Sequence, residues 1–291
     1  MNSAMIRSPV ETTIVSLTEK ELADWRRRNG GRIIEHHGRY WDVLHKGFAF
    51  SIHWLARMTA SEARWPSPLC WGYRTTLTDD ASARANAFMP AHLSQNVAGY
   101  DMQFLPSKRR NQLRGCQRQV EIVEVLDPAY LREHAYPVSL SASKRTGFFE
   151  YGRPLNPEQF AQRVTGEVHP GHSLVLAGLV NGQLGGYVSA FAVDGTAYVN
   201  RVILATEALR TNIGTGLIFE LMQVCRRAGT IREVVYGLHS REDAALCKFK
   251  EEMGFPVVKI PARVGMLPFL QNLIHWYRPH VYYRLFGEKL P

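Results

Sequence analysis

The chain is poor in cysteine, contains no long apolar run and has fewer acidic than basic residues. Its four cysteines, Cys70, Cys116, Cys225 and Cys247, form no Cys-x-x-Cys pair and stand at no metal-ligand spacing. A redox dithiol and a zinc cluster are thereby excluded, and no metal is expected. The thiols read as core residues of a chain held in a reducing compartment. No stretch reaches the roughly 18 apolar residues needed to span a bilayer, and the first 15 residues lack the apolar run of a secretion signal. The expectation is a cytoplasmic protein. The deficit of acids leaves 35 Lys and Arg against 26 Asp and Glu, a formal charge of +9. Such a balance suits an anionic partner such as a nucleotide cofactor, RNA or an acidic membrane face, or else a generally basic surface. What is present is ordinary: 291 residues, 45% hydrophobic and 21% charged, enough for one large core or two domains.

The N-terminal part is mixed. Ser16 or Thr18 can cap a helix over 19–28. Strands are expected over 32–36 and 39–43 around the His37-Gly38 turn, helices over Phe48–Met58 and Asp79–Met89, and a strand over Cys70–Leu77. Ser107 is expected to cap the helix that follows Pro106. On it, Arg110, Arg114 and Arg118 recur every four residues and share a face, suited to a phosphate or an RNA backbone, or to plain solvation. Leu113, Cys116 and Val120 face inward. Residues 121–125 read as a strand and 128–173 as helical segments and loops, with Lys144 and Arg145 beside Gly147 and an irregular connection at Pro154 and Pro157.

From residue 174 the pattern sharpens. Strands over 174–180, 183–193 and 196–204 are separated by Asn181-Gly182 and Asp194-Gly195, both strong hairpin signals. Gly185-Gly186 marks a bulge or a close backbone approach. An amphipathic helix over 211–227 carries Ile213, Leu217, Leu221 and Val224 on one side. A strand over 232–237, a helix over 242–253 closed by Gly254 and a strand over 255–260 complete a βββαβαβ order. Asn212-Ile213-Gly214-Thr215-Gly216 stands at the strand-to-helix step. Free N–H groups and the helix dipole there attract an anion; the alternative is a helix start with small residues for packing.

The element order, the run Arg210-Thr-Asn-Ile-Gly-Thr-Gly and the closing Glu252-Met-Gly-Phe255 resemble the GNAT acyltransferases. That resemblance implies an α/β fold with a mixed sheet. It assigns Arg210, Asn212, Ile213, Gly214, Thr215 and Gly216 to the pyrophosphate of coenzyme A, and the backbone of Val202 and Leu204 to its pantetheine arm. Two places depart from the family pattern. Thr211 stands where Arg or Gln is usual, and Asp243 and Lys250 replace an Asn and the tyrosine acid. Lys108–Val120, the 212–216 turn and Phe249-Lys250 ahead of Met253-Gly254 resemble the Fem-type branch, over roughly residues 106–260. Fem-type proteins are often two tandem GNAT-like halves. On that reading 1–130 is a degenerate copy or an accessory half, 131–262 the catalytic half and 263–291 an aromatic and basic tail.

Acyl transfer to an amine needs a base, donors for the oxyanion and a proton for the leaving group. The resemblance places the reacting groups where the third strand and the 232–237 strand diverge, near Tyr198, Asn200, Arg201, Tyr236 and His239. His239 has the intrinsic pKa of a neutral-pH base. Glu207 is a second base candidate, and Lys250 a candidate for phosphate or oxyanion. The implied function is an N-acyltransferase using an acyl-CoA or related thioester, with a small-molecule or envelope-precursor amine as acceptor, in cell-envelope or polysaccharide metabolism. The alternatives are an aminoacyl-tRNA-dependent transferase, with tRNA as donor and partner, and a non-catalytic binding subunit. The tail over 265–291 mixes aromatics with Arg278, His280, Arg284 and Lys289. It either packs over the N-terminal half or touches an acidic membrane as a peripheral contact.

Overall fold

A computed structural model describes residues 5–44, 47–147 and 155–287. Along the chain the elements are β1 (Ile6–Arg7), β2 (Ser16–Leu17), α1 (Glu19–Arg28), β3 (Ile33–His36), β4 (Arg39–Val43), β5 (Phe48–Ser51), β6 (Gly72–Thr76), β7 (Ala87–Ser94), α2 (Ser107–Gln117), β8 (Val120–Val125), α3 (Pro128–Thr146), α4 (Pro157–Thr165), β9 (Leu174–Val180), β10 (Gln183–Val193), β11 (Thr196–Leu204), α5 (Ile213–Ala228), β12 (Glu233–Leu238), α6 (Ala244–Glu252), β13 (Val257–Met266), α7 (Pro268–Tyr277) and α8 (Pro279–Phe286). They fall into two compact units. The first comprises Met1–Ser16, Ser94–Val235 and Glu252–Gly254, and the second Leu17–Leu93, Tyr236–Glu251 and Phe255–Pro291.

In the first unit the strand order is β1-β8-β9-β10-β11-β12. All pairs are antiparallel except β11 with β12. The hairpin turns fall at Asn181-Gly182 and Asp194-Gly195, where Asn181 and Asp194 take φ of 52° and 47°, the left-handed pair that a type I′ turn requires. The expected irregularity at Gly185-Gly186 is a register shift against β9. One face of the sheet is covered by α3 and α4 through Tyr130, Leu131, Phe160 and Val164, which pack on Val175, Ala177 and Tyr187. Helix α5 contacts β8, β9, β10 and α2. Its seat depends on missing Cβ atoms: a side chain at Gly178 would come within 2.7 Å of Ile213 Cδ1, and one at Gly216 within 2.4 Å of Cys116 Sγ.

The second unit has the order β7-β13-β6-β5-β4-β3, with Trp41, Ala49, Met58, Tyr73 and Leu77 at its core. Helix α1 begins at Thr18 with a full capping box through Glu21. The unit repeats a pairing pattern of the first. The antiparallel run β3-β4-β5 turns at His37-Gly38 and leads to a parallel β5–β6 pair, as β9-β10-β11 leads to β12. Residues 52–71 between β5 and β6 contain no α-helix, whereas β11 and β12 are joined through α5.

Three local expectations are corrected here. Phe48–Met58 is not a helix: Phe48–Ser51 is strand β5, paired on both sides, because its aromatic residues fit a buried pleated surface. Asp79–Met89 is not a helix despite its alanines. Asn86 Nδ2 donates to Val264 O at 2.8 Å and its Oδ1 accepts from Val264 N at 2.9 Å. This clamp draws the chain into strand β7, where Ala87 pairs with Ala262, so tertiary pairing overrides propensity. Ser107 is the first residue of α2 rather than its cap; Pro106 holds the cap position without a side-chain bond. The expected strand over 255–260 runs longer, as β13.

The packing at Gly216 makes a prediction. Gly216→Ala should lower stability by about 1–3 kcal/mol, the usual cost of overpacking. Adding Cys116→Ala should recover much of that loss. A double-mutant cycle in urea measures the coupling, and additive losses would contradict the contact.

Candidate functional site

The C-terminal end of β11 has an exposed edge. Strand β12 pairs with β11 over Thr196–Tyr198, and among the described residues no strand pairs with the rest of β11 on that side. On the other side β10 follows β11 to Gly186↔Leu204. Tyr187 lies opposite Ile203, and Ala205 N donates to Gly185 O at 2.9 Å. By the alternation of an antiparallel ladder, Ile203 and Ala205 bond to β10 while the N–H and C=O of Val202 and Leu204 point away from it. Leu204 O accepts from Arg145 Nη1 at 3.0 Å. A register shift between Ser189 and Ala190 leaves Asn200 as the extra residue of a bulge, with Asn200 Nδ2 donating to Ser189 Oγ at 3.4 Å.

This edge runs into the turn before α5. A short 3-10 segment over Glu207–Thr211 ends at Asn212, which caps α5 with φ 59° and ψ 28° and makes no side-chain cap bond. The Asn212 carbonyl accepts from Thr215 N and Gly216 N. Ile213, Gly214, Thr215 and Gly216 form the buried first turn of α5, so glycine at 216 serves close packing on Cys116. Arg210 is exposed. A cleft of about 480 Å³ borders the same turn, lined by Arg118, Val138, Leu184, Glu207 and Arg210 among others. The last turns of α3 grip the turn: Ser141 Oγ donates to Glu207 Oε2 at 2.9 Å and Thr206 N donates to Ser141 Oγ at 3.0 Å. Backbone bonding and Ser141 hold the Glu207 carboxyl below the usual range, which works against its use as a base. Arg201 is ion-paired to buried Glu167 at 2.9 Å, which also takes Arg163 at 2.8 Å. Tyr198 stacks on Phe191.

The other candidates, Tyr236, His239 and Lys250, belong to the second unit, where they form a polar cluster. Lys250 is 7% exposed, and its ammonium lies 5.0 Å from the centroid of the Tyr236 ring. Burial holds Lys250 below its ordinary pKa and pushes the Tyr236 phenol up. His239 N donates to Pro90 O at 2.8 Å, and His239 Nδ1 lies 2.8 Å from Tyr283 Oη. Burial and Arg241 lower the His239 pKa, leaving the imidazole neutral near pH 7 as a base requires.

Sequence reasoning missed His92, which sits inside β7 and lies 5.6 Å from His239, centroid to centroid. Its Nδ1 is 2.9 Å from Phe255 O. A carbonyl only accepts, so Nδ1 carries the proton and Nε2 presents its lone pair; Nε2 is buried and has no hydrogen-bond partner among the described residues. Burial, then Lys250 and His239, lower the His92 pKa against the Phe255 carbonyl. Nothing local in the sequence marks His92, which comes to this cluster through the pairing of β7 with β13. Arg145 was visible only as part of a polar stretch. The arginine stripe of α2 is largely engaged, since Arg110 donates to Leu105 O and Arg114 to Asn111 Oδ1. The off-stripe Arg109 pairs with Glu252 at 2.7 Å. Among the described residues no group of three His, Cys, Asp or Glu could hold a metal. Pro154 lies outside the described residues.

The sequence matches the acetyltransferase (GNAT) family over residues 138–255. Residues 138–255 thus carry a GNAT acetyltransferase domain. A domain of that family supports an acyltransferase that acts on amines. A comparison with curated proteins gives no match. Among solved structures, the GNAT chain is similar to FemX, with a TM-score of 0.58 at 8% identity over 88% of this chain and 93% of that one. It is also similar to the C-terminal domain (DUF2156) assigned to a lysylphosphatidylglycerol synthetase of Agrobacterium fabrum, with a TM-score of 0.55 at 12% identity over 87% and 91%. At these identities the likeness is one of fold.

Two predictions follow from the polar cluster. Lys250→Met removes a buried cation that makes no salt bridge among the described residues, so the thermal midpoint should hold or rise while turnover falls by roughly a hundredfold. Unchanged turnover would remove Lys250 from the chemistry. Because the folded His92 resists protonation, the unfolded chain takes up a proton below about pH 6.5, the ordinary imidazole value, that the folded chain refuses. Stability should therefore fall as pH drops below that value. His92→Asn keeps a donor for Phe255 O and should flatten that fall in pH-dependent urea titrations. An identical acid limb in the variant would rule His92 out as its source.

Proposed function

We propose that this acyltransferase takes a coenzyme A thioester as donor, bound along the outer edge of β11 and the start of α5. The observation that carries this reading is the outward-facing backbone of Val202 and Leu204, leading directly to a helix N-terminus without a side-chain cap. An amide-bearing arm can add to such an edge as a strand would, while its anionic end meets the first turn of α5 and the Arg210 and Arg145 cations. The acceptor is an amine, which attacks the thioester carbonyl and loses a proton as the thiolate departs. His239 is the proposed base, and Lys250 the proposed cation for developing negative charge, with Tyr236 and Asn200 as further candidates. An envelope precursor or polysaccharide amine suits the reading as acceptor, and the cytoplasm as its compartment. We read the second unit as a degenerate tandem copy, because it repeats the meander and parallel step without the crossing helix.

A second reading has a specific support. Two solved folds that match about nine-tenths of this chain are FemX and a domain assigned to a lysylphosphatidylglycerol synthetase, and the second name speaks of a lipid that bears a lysyl group. Under that reading the donor is a charged tRNA, and its binding should fall steeply with salt.

Calorimetric titration with acetyl-CoA, longer acyl-CoAs and aminoacyl-tRNA separates the two. Val202→Pro deletes only an N–H that points away from β10, a position an edge strand tolerates. The variant should keep its thermal midpoint and lose roughly tenfold in thioester affinity, the worth of about one hydrogen bond. Equal thioester affinity in both proteins would sink the edge-binding reading, and salt-sensitive tRNA binding without thioester binding would replace it with the second.

A further inference from the structure

Helix α7 buries none of its ten residues. Phe269, Leu273, Trp276 and Tyr277 are 66%, 49%, 83% and 73% exposed. Their spacing of four, three and one places them on one stripe of the helix. The stripe continues at its start, where Leu267 N donates to Trp71 O and Leu267 lines a depression with Trp65, Leu69 and Trp71. Leu69 is itself 78% exposed. Scattered exposed apolar residues are normal on a soluble surface, but a contiguous band of this kind marks an interaction site.

Charge identifies the partner. From Met253 to Gly287 the sequence holds Lys259, Arg263, Arg278 and Arg284 and not one Asp or Glu. Arg284 is turned to Glu242 and Arg263 to Tyr73, whereas Arg278, directly after the stripe, is exposed. An apolar stripe that ends in an exposed arginine, in a segment without a carboxylate, matches an anionic surface. It opposes a second copy of the same chain, which would bring like charges together. The stripe ends in Trp276 and Tyr277, the side chains favoured at the headgroup level of a bilayer. No helix among the described residues is long and apolar enough to cross one.

We propose that α7 docks this protein on an anionic lipid bilayer. The helix lies in the interface plane with Phe269, Leu273, Trp276 and Tyr277 sunk to the acyl boundary and Arg278 directed at lipid phosphates. The surface is independent of the donor assignment above.

Flotation of the full chain tests this, using vesicles of phosphatidylcholine alone and of phosphatidylcholine mixed with phosphatidylglycerol. The wild-type chain should float with the mixed vesicles, less so as salt is raised, and only weakly with phosphatidylcholine. Phe269→Ser combined with Trp276→Ser removes exposed side chains, so the thermal midpoint should stay in place while partitioning falls by roughly tenfold or more. Arg278→Glu should lower binding to the mixed vesicles alone. Absence of flotation with either composition, or equal flotation of the double variant, overturns the proposal. So does a dimer in light scattering that the double variant abolishes without any vesicle binding, because the stripe is then a self-association face.

Discussion

The arrangement around β11 depends on how closely α5 sits on the sheet. Ile213 enters the space left by Gly178, and Gly216 lets the helix rest on Cys116. Burying an isoleucine in this way is worth about 1.5–3 kcal/mol, and it fixes the first turn of the helix. The strand-to-helix turn must then fit a set distance, which it does with a 3-10 segment and a left-handed Asn212. Asn is among the non-glycine residues that take that conformation most readily, so the turn can close between its two anchored ends. The placement of the backbone amides thus follows from apolar packing beneath them.

This arrangement explains what could be read from the sequence. The meander from 174 to 204 is governed by local rules: its turns need left-handed residues, Asn-Gly and Asp-Gly supply them, and the strands alternate between. The capping box at Thr18 and the inner face of α5 are equally local. The two helices expected over 48–58 and 79–89 failed because long-range pairing decides them. Asn86 is unremarkable in sequence, yet its two bonds to Val264 commit the chain to a strand. The candidate site divides in the same way. Arg210 and the 212–216 turn were legible as a motif at a helix start, although Gly216 proves to serve packing. His92 was invisible because its neighbours, Phe255 and His239, lie more than a hundred residues away in the chain.

The cluster in the second unit is polar where packing alone would favour apolar groups. Lys250 gives up hydration for the face of an aromatic ring, an interaction worth about 2 kcal/mol when desolvated, less than the cost of burying an ammonium. His92 keeps one ring nitrogen unpartnered, and His239 is held neutral. A lysine and two imidazoles with lowered proton affinity, drawn from β7, α6 and the segment after β12, are costly to maintain. Perturbed groups of this kind gather where proton transfer is required, which gives the cluster a better claim to chemistry than the exposed Glu207.

At the β11 edge, Arg145 constrains how a donor could bind. It already donates to Leu204 O and is held near Thr206 at 3.2 Å. An arm adding along this edge would have to share that carbonyl or displace the guanidinium. Sharing is geometrically reasonable, because a carbonyl oxygen has two lone pairs. Displacement has its own compensation, since an arginine released beside the turn before α5 lies next to the proposed seat of the donor's negative charge. In either case α3 and the proposed donor seat are coupled: Ser141 and Arg145 sit one helical turn apart and hold both the strand exit and the turn. The apolar face that seats α3 on the sheet, through Tyr130, Leu131 and Ala135, therefore also determines where the cation stands at the edge.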